Sequence, residues 1–366
     1  MPEVKLVNIT KRYGKIAAND QVNFTIKEDE YISVIGPSGC GKTTLIKIIA
    51  GITKPDEGEI YIDGKLVNNV PIEDRGIGYV FQNIALFPHL SVWDNIVYGP
   101  RVKGTPVEEI RPLALEMLEM IKLDTRSDAR PYELSGGTQQ KTAVARALTS
   151  RAELLLLDEP LGALDVKVRT MLRDELRKLV KDLKLTAFHV THDQEEAMSI
   201  SDRVIVMKRG RVVEAGSPLE LYTRPRHIFT ANFVGEANFL VGNIVESWEE
   251  GSLVSTENGI PLVTYVGDRK LGERVVAAFR PEYVSTEGSE GFNKLSGVIM
   301  EVLYSGRIVR VKIRLSGGVQ IMAKTALHSD VYPFTIGKAV TFSVSSQDVL
   351  LYSYPEEGLE KELALE

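Results

Sequence analysis

The 366-residue sequence predicts an α/β layered domain with a mostly parallel sheet, followed by a small all-β domain. Up to about residue 235, short apolar runs alternate with longer segments whose apolar residues recur at helical spacing. The run Leu154–Leu157 is continuously apolar, which is typical of a parallel strand covered on both faces. Beyond residue 235, short β-like runs follow one another at close spacing. We therefore expect two domains, residues 1–235 and 236–366.

The elements of the first domain follow from apolar runs and from helical periodicity. Strands are predicted at Lys5–Ile9, Ile32–Ile35, Gly78–Phe81, Leu154–Leu157, Ala187–Thr191 and Arg203–Met207. Helices are predicted at 43–50, 107–121, 137–150, 166–183 and 194–200. In the helix at 166–183, Leu172, Leu176 and Leu179 fall on one side, and Asp165 is a suitable N-cap.

The second domain contains β-like runs that are broken by glycines. These runs are Val275–Phe279, Val298–Leu303, Ile308–Arg314, Val319–Ala323 and Ala339–Val344. Short strands at close spacing, with turn residues between them, favour a small all-β barrel of the OB type.

Composition and charge exclude several classes of protein. The chain carries 44 basic and 50 acidic residues, and neither domain is basic, which argues against nucleic acid as a partner. The single cysteine, Cys40, excludes an intrachain disulfide and a cysteine-based zinc site. No apolar run approaches the roughly 18–20 residues of a membrane-spanning helix, and the N-terminal residues lack the pattern of a signal peptide. We expect a cytosolic protein whose membrane contact goes through a partner.

The most informative motif is a glycine-rich loop between a predicted strand and a predicted helix. Residues 36–44 match the pattern G-x-x-x-x-G-K-[ST]. The glycines allow the backbone to wrap phosphates, and the helix N-terminus directs amides toward them. We expect Lys42 to meet the β- and γ-phosphates of ATP or GTP and the Thr43 hydroxyl to ligate Mg²⁺. The candidate nucleotide-binding residues are Gly36, Pro37, Ser38, Gly39, Cys40, Gly41, Lys42, Thr43 and Thr44.

Two carboxylates follow the buried run Leu154–Leu157. Because ligands bind at the carboxyl ends of parallel strands, we expect Asp158 and Glu159 to lie beside the glycine-rich loop. Asp158 is suited to hold Mg²⁺, directly or through water, and Glu159 is suited to polarise an attacking water. A merely solvated strand end is the alternative, which the loop upstream makes less favourable.

A third motif, Leu134–Gln140, opens the predicted helix at 137–150 with the residues Leu-Ser-Gly-Gly-Thr-Gln-Gln. A helix N-terminus of this kind suits an anion, although many such ends bind nothing. Together with the first two motifs it resembles the signature of the ATP-binding cassette (ABC) transporter ATPases, and Ala143–Leu148 continues the resemblance. The resemblance covers about residues 3–235. It implies a P-loop NTPase fold with a RecA-like core and a helical subdomain at about 90–150.

The resemblance implies roles for further residues. Gln82 matches the Q-loop glutamine, which senses Mg²⁺ and the attacking water, and His192 matches the switch histidine, which contacts the γ-phosphate. Tyr13 resembles the aromatic residue that stacks on adenine, and Leu161–Asp165 resembles the D-loop. The implied catalytic residues are Glu159, His192 and Gln82, and the implied metal ligands are Thr43, Gln82 and Asp158.

The family also implies a head-to-tail homodimer. Each ATP would lie between Gly36–Thr44 of one subunit and Ser135, Gly136 and Gly137 of the other. The γ-phosphate would then join the two subunits, so that ATP binding closes the dimer and hydrolysis releases it.

Three departures from the family pattern and one additional histidine stand out. Thr138 and Lys141 replace the common Gln and Arg, and Gly162 replaces a frequent Ser. Lysine keeps the charge of arginine but loses its bidentate geometry. His189 lies three residues before His192, but side chains three apart on a strand point to opposite faces, so a shared metal is disfavoured. We expect His189 to pack within its strand.

Two further regions resemble parts of importer ATPases. The apolar segment 83–93 resembles the groove for a coupling helix of a membrane subunit, although some of its residues must pack the helical subdomain. Gly216–Pro218, Phe233–Leu240 and Phe279–Glu282 resemble pieces of the C-terminal TOBE domain of importers for sugars, polyamines, iron and oxyanions. The piece at 233–240 favours the polyamine and iron group.

The function that the resemblance implies is ATP hydrolysis coupled to solute uptake, with ATP and Mg²⁺ as cofactors. The implied partners are two transmembrane permease subunits and an extracellular or periplasmic solute-binding protein. The chain would then lie at the cytoplasmic face of the cell membrane. A sugar importer ATPase and a soluble cassette protein of repair or translation stay open as alternatives, as does a regulator or small ligand bound to the C-terminal barrel.

Overall fold

The computed structural model describes residues 2–150, 152–162, 164–285, 292–326 and 334–365, which fall into two compact units. The first unit extends to Leu221, and the second comprises Tyr222–Ala364. The boundary expected from the sequence lies later, after residue 235. Residues of the intervening segment belong to the second unit because Ile228 and Ala231 share a buried apolar cluster with Val276 and Ala278.

The first unit alternates strands and helices, as its sequence predicts. Its strands are β1 (Val4–Tyr13), β2 (Ile16–Ile26), β3 (Tyr31–Ile35), β4 (Glu57–Ile62), β5 (Lys65–Leu66), β6 (Ile77–Val80), β7 (Leu154–Asp158), β8 (Thr186–Val190), β9 (Arg203–Lys208) and β10 (Arg211–Gly216). Its helices are α1 (Lys42–Ala50), α2 (Val92–Val102), α3 (Val107–Met120), α4 (Gly136–Thr149), α5 (Val166–Asp182) and α6 (Gln194–Ile200), and α7 (Pro218–Thr223) spans the boundary. Among the described residues, no helix is both long and apolar enough to cross a membrane.

The central sheet of this unit positions the site. Among the described residues its strand order is β10-β9-β3-β8-β7-β6, and β3 and β6 to β9 pair in parallel. Every residue of β3, β7 and β8 is buried, which explains their continuously apolar sequences. A second, antiparallel sheet has the order β2-β1-β4-β5, and residues of both sheets and of α1 share one core cluster. The carboxyl ends of β3, β8, β7 and β6 therefore lie side by side.

Short polar side chains cap the N-termini of α2, α4, α5 and α6. Ser135 accepts a hydrogen bond from the amide of Thr138 at the start of α4. The predicted N-cap Asp165 accepts one from the amide of Val168, which confirms that expectation. The helices α2, α3 and α4 pack together around a second core cluster, and this is the helical subdomain.

The second unit is mainly antiparallel β-structure. Its strands are β11 (Asn238–Trp248), β12 (Gly251–Thr256), β13 (Pro261–Thr264), β14 (Arg274–Phe279), β15 (Phe292–Ser305), β16 (Ile308–Leu315), β17 (Gln320–Ala326), β18 (Ala339–Ser345) and β19 (Leu350–Ser353), and its helices are α8 (Ile228–Phe233) and α9 (Leu359–Leu363). The described strands form two sheets, ordered β13-β12-β11-β14-β19 and β17-β16-β15-β18, which share one apolar core. The expected fold class, an α/β cassette followed by a small OB-like all-β domain, is confirmed.

Candidate nucleotide site

The candidate site lies at the carboxyl ends of four neighbouring parallel strands. The glycine-rich loop, residues 36–44, follows β3, and His192 comes soon after β8. Asp158 ends β7, and Glu159 comes directly after it. Gln82 is the second residue after β6. Because the strand order brings these four ends to one edge of the sheet, residues far apart in sequence meet there.

Two glycines of the loop sit where no side chain fits. A Cβ on Gly36 would lie 2.4 Å from the carbonyl oxygen of Met207 and 2.6 Å from Cys40 Sγ. Gly41, directly before α1, has a φ of 103°, and a Cβ there would lie 2.0 Å from the carbonyl oxygen of Ala18. The loop can thus approach its neighbours closely only with glycine at these positions.

The lysine of the loop is folded against the loop itself. Lys42 is 3% exposed, and its Nζ donates hydrogen bonds to the carbonyl oxygens of Gly36 at 2.7 Å and Pro37 at 2.9 Å. The same Nζ lies 3.7 Å from Cys40 Sγ. Burial raises the pKa of the Cys40 thiol, although Lys42 opposes the shift, so the thiol stays protonated and acts as a small packed group. The ammonium is in place to exchange these carbonyl partners for phosphate oxygens.

Asp158 combines burial with one unused oxygen. Its side chain is 5% exposed, and Oδ2 accepts a hydrogen bond of 3.0 Å from the hydroxyl of Tyr79. Its Oδ1 is buried and has no hydrogen-bond partner. Burial raises the pKa of Asp158, and the Tyr79 hydroxyl opposes that shift. A buried carboxylate oxygen without a donor is the kind of group that a hard cation such as Mg²⁺ satisfies, so the residues present fit such an ion.

Glu159 contacts both of the other residues expected to be catalytic. Gln82 Nε2 donates a 2.7 Å hydrogen bond to Glu159 Oε2, and His192 Nε2 contacts Glu159 Oε1. Glu159 has a φ of 49°, in the left-handed region, and its backbone amide donates to the carbonyl oxygen of Val190 at 2.8 Å. The structure thus brings together three residues that were singled out from separate motifs.

The signature motif lies at an exposed helix start. Ser135 and Gly136 are exposed, whereas Gly137 is buried, and a Cβ there would lie 2.8 Å from Val168 Cγ1 of α5. The departures from the family pattern have local partners: Thr138 meets the Ser135 hydroxyl, and Lys141 Nζ lies 2.6 Å from Glu175 Oε2. A Cβ on Gly162 would have ordinary contacts, none closer than 3.6 Å. Ala163 of the D-loop lies outside the described residues.

Tyr13, the candidate for stacking on adenine, ends β1 and is 54% exposed. Lys11 Nζ lies 5.6 Å from the centre of its ring. An exposed ring with a cation beside it offers a face to a planar base.

Two groups of side chains next to the site were not assigned a role from the sequence. Tyr79 donates a hydrogen bond to Asp158, and Thr191, which precedes His192, donates one to Glu196. The signal for Tyr79 is a hydroxyl on a strand that pairs with β7, in register with Leu156. That pairing is visible only once the strand order is known.

An open groove lies beside β6 in the helical subdomain. Its volume is about 410 Å³, and it is lined by Ile77, Gly78, Tyr79, Phe81, Ala85, Phe87, Tyr98, Gly99, Arg146, Ala147 and Ser150. Of the expected segment 83–93, only Ala85 and Phe87 line it, because Leu86 and Val92 are buried in the core of the subdomain. The remaining walls come from β6 and Phe81 after it, from α2, and from α4 and Ser150 after it. These elements were not assigned to a groove from the sequence.

The fold and the site define a P-loop ATPase of the cassette type. A family model described as ABC transporter matches residues 19–162, and one described as TOBE domain matches residues 277–351. The chain belongs to the ABC transporter family, as an ATP-hydrolysing subunit that carries a TOBE domain.

Individual relatives match nearly the whole chain. The spermidine/putrescine import ATP-binding protein PotA of Marinobacter nauticus is 37% identical over 364 residues, covering 98% of this chain and 98% of that protein. The protein of the same name from Escherichia coli (strain K12) is 38% identical over 333 residues, covering 90% and 88%. Among solved structures, a dimeric ATP-binding cassette in a post-hydrolysis state, bound to ADP and Pi, has a TM-score of 0.52 and 37% identity, covering 59% of this chain and 98% of that one.

Proposed function

We propose that this chain hydrolyses ATP to drive polyamine uptake, as one of two identical subunits bound to membrane permeases. The observation that carries the hydrolytic assignment is the contact of Glu159 with both Gln82 and His192 at the edge of the sheet. The relatives named for spermidine and putrescine import support the solute class, since they match 90–98% of the chain.

Each residue of the site has a chemical task in this proposal. Lys42 and the amides at the start of α1 bind the β- and γ-phosphates. Glu159 accepts a proton from the attacking water, while Gln82 and His192 orient that water and the γ-phosphate. Thr43 and Asp158 would hold Mg²⁺, with Gln82 nearby. The ion, when bound, neutralises charge on the phosphate oxygens.

The homodimer is proposed from exposure at the signature motif. Ser135 and Gly136 present an exposed helix start, whose amides and positive dipole end suit a γ-phosphate held by a second subunit. The similar cassette structures are described as dimeric. ATP would therefore lie between Gly36–Thr44 of one subunit and Ser135–Gly137 of the other, with Tyr13 against the adenine.

The groove beside β6 is the proposed seat of a permease segment. Phe81 and Tyr98 on its walls are 42% and 41% exposed, and the Phe87 ring lies 4.3 Å from that of Tyr98. Arg146 Nη1 donates to the carbonyl oxygen of Ala85 at 2.7 Å, and this hydrogen bond joins two residues that line the groove. Aromatic walls of this kind suit an amphipathic helix. This chain would lie at the cytoplasmic face of the permeases. An external solute-binding protein would join the assembly through the permeases.

The solute is tested by uptake in the native cell. Deletion of the gene should abolish uptake of labelled spermidine and putrescine, and the wild-type gene should restore it. The Glu159→Gln gene should not restore it, although the protein should accumulate normally. Unchanged polyamine uptake combined with lost uptake of a labelled sugar would instead establish the sugar importer.

A further inference from the structure

A buried histidine and a buried glutamate lie next to the loop that carries His192, and the mechanism above gives them no role. His189, on β8, is fully buried, and Glu196, in the first turn of α6, is 3% exposed. His189 thus packs within its strand, as the sequence predicts, but its ring is flanked by polar groups. Burying a histidine and a glutamate costs free energy that an apolar pair would not.

The contacts of the imidazole indicate which nitrogen carries the proton. The Tyr31 hydroxyl, on β3, lies 3.1 Å from His189 Nδ1, and Glu196 Oε1 lies 3.2 Å from His189 Nε2. Burial keeps the pKa of Tyr31 well above its ordinary value, so the phenol keeps its proton and can donate it to Nδ1. Because Nδ1 accepts from the phenol, a neutral imidazole carries its proton on Nε2, the nitrogen that faces Glu196 Oε1. Nε2 and Oε1 are close, although their geometry is not that of a hydrogen bond.

The second oxygen of Glu196 connects this pair to the loop that carries His192. Thr191 Oγ1 donates a 2.8 Å hydrogen bond to Glu196 Oε2 and accepts one of 3.0 Å from the amide of Asp193. The Asp193 carboxylate in turn accepts from the amide of Glu196 at 3.0 Å. Both neighbours of His192 are therefore tied to Glu196, Thr191 through the buried carboxylate and Asp193 through the backbone amide.

The same loop is tied to the strand that precedes the glycine-rich loop. The amide of Thr191 donates to the carbonyl oxygen of Val34 on β3, and Tyr31 lies on that strand as well. His192 itself is 48% exposed and reaches Glu159 from this fixed base. Hydrogen bonds that hold the backbone on both sides of a half-exposed side chain help to keep that side chain in one orientation.

We propose that Tyr31, His189, Glu196 and Thr191 form a buried positioning network that holds the His192 loop in register with Glu159. These four are positioning residues, since they act through His192. The inference rests on the proposed function because it assumes that His192 acts in hydrolysis.

The test compares Thr191→Val, which removes the hydroxyl, with Thr191→Ser, which keeps it. ATPase kinetics of the full chain should show kcat reduced roughly tenfold in Thr191→Val, with the KM for ATP within about twofold of wild type. Thr191→Ser should retain near wild-type kcat. Thr186→Val is the matched control, because Thr186 is a fully buried residue at the opposite end of β8 whose hydroxyl donates to the carbonyl oxygen of Pro2, and its kcat should not change.

A double-mutant cycle separates positioning from general damage. In a His192→Ala background, Thr191→Val should cause no further loss of kcat, because the network would have nothing left to position. Hydrogen exchange at the Asp193 amide should accelerate in Thr191→Val and not in Thr191→Ser. Equal losses of kcat with and without His192, or an equal loss in Thr186→Val, would overturn the network alone. Wild-type turnover of His192→Ala would instead contradict the role proposed for His192 itself.

Discussion

Gln82 Nε2 lies 2.7 Å from Glu159 Oε2, although the two residues are 77 positions apart and follow different strands. Because His192 contacts the other oxygen, both oxygens of the Glu159 carboxylate have a partner. The backbone of Glu159 adopts a left-handed φ of 49°, which costs a non-glycine residue about 1–2 kcal/mol. Strain of this kind at a strand end persists where the surrounding contacts define the geometry, as they do here.

The first prediction concerns the charge of that carboxylate. Glu159→Gln keeps the size of the side chain and can still accept from Gln82, but it cannot take a proton from water. We expect turnover to fall by about 10²–10⁴-fold, while ATP binding and ATP-dependent dimerisation persist. Steady-state ATPase assays and light scattering with Mg·ATP measure the two properties.

Glu153→Gln is the matched control for this substitution. Glu153 is an exposed carboxylate just before the other end of β7, so its loss should leave turnover unchanged. Near wild-type hydrolysis by Glu159→Gln, or a monomeric protein under all conditions with Mg·ATP, would contradict the assigned role.

The second prediction follows from the burial of Asp158. Burial raises the pKa of this carboxyl in the folded chain above its value in the unfolded chain, so the charged form opposes folding. The stability contributed by the protonated form is present below the unfolded pKa, near 4, and is lost as the pH rises through the folded pKa. Metal-free Asp158→Asn should therefore melt at a higher temperature than wild type at pH 7, while its hydrolysis falls by about 10²-fold or more.

The pH dependence of the melting temperature checks this sign. The advantage of Asp158→Asn should shrink as the pH is lowered toward 4, because the wild-type carboxyl then takes up its proton. Asp174→Asn, at a carboxylate with 73% exposure on α5, should show no comparable gain. A destabilised Asp158→Asn at pH 7 would mean that the hydrogen bond from Tyr79 outweighs the cost of burial.

The third prediction separates two glycines of the same loop. A Cβ on Gly39 meets no atom within 4 Å, so Gly39→Ala carries only the strain of a φ of 79°, about 1–2 kcal/mol. Gly41→Ala adds a clash at 2.0 Å with the backbone of Ala18, so its cost should reach about 3 kcal/mol or more. Thermal denaturation and titration with a fluorescent ATP analogue should rank Gly41→Ala well below Gly39→Ala in stability and in nucleotide affinity. Equal behaviour would show that the loop shifts freely.

The sequence predicted the strands that carry the site because β3, β7 and β8 are short, buried and continuously apolar. It did not predict β2, whose run includes Asn19, Asp20 and Gln21, or α2, which contains Pro100 near its end. The contacts of Tyr79 with Asp158 and of Tyr31 with His189 depend on which strands are neighbours, and a local pattern does not carry that information. The role of Arg280 was not predicted either, because Phe279–Glu282 was identified only as a piece that resembles the TOBE domain.

Arg280 explains why the second unit begins at Tyr222. Its side chain is 2% exposed, and its guanidinium donates to the carbonyl oxygens of Tyr222 at 3.0 Å, Ala231 at 2.5 Å and Glu236 at 3.1 Å. Its carbon Cζ also lies 4.5 Å from the centre of the Tyr222 ring. Burial lowers the pKa of Arg280, but the planar fork of donors stays matched to three carbonyls that belong to one segment. Arg280, which directly follows β14, thus fastens the segment 222–236 in addition to the apolar contacts of Ile228 and Ala231.

Arg280→Met should destabilise the second unit by on the order of 3 kcal/mol, because it leaves one buried and two partly buried carbonyl oxygens without their charged donor. In a Trp93→Phe background, Trp248 is the remaining tryptophan, and its fluorescence during urea denaturation reports on this unit. Arg274→Met is the control: Arg274 is 51% exposed and pairs with Glu257 at the surface, so its loss should cost roughly 1 kcal/mol. Equal midpoints for the two variants would mean that segment 222–236 is held mainly by its apolar residues and that the carbonyls find water when the guanidinium is removed.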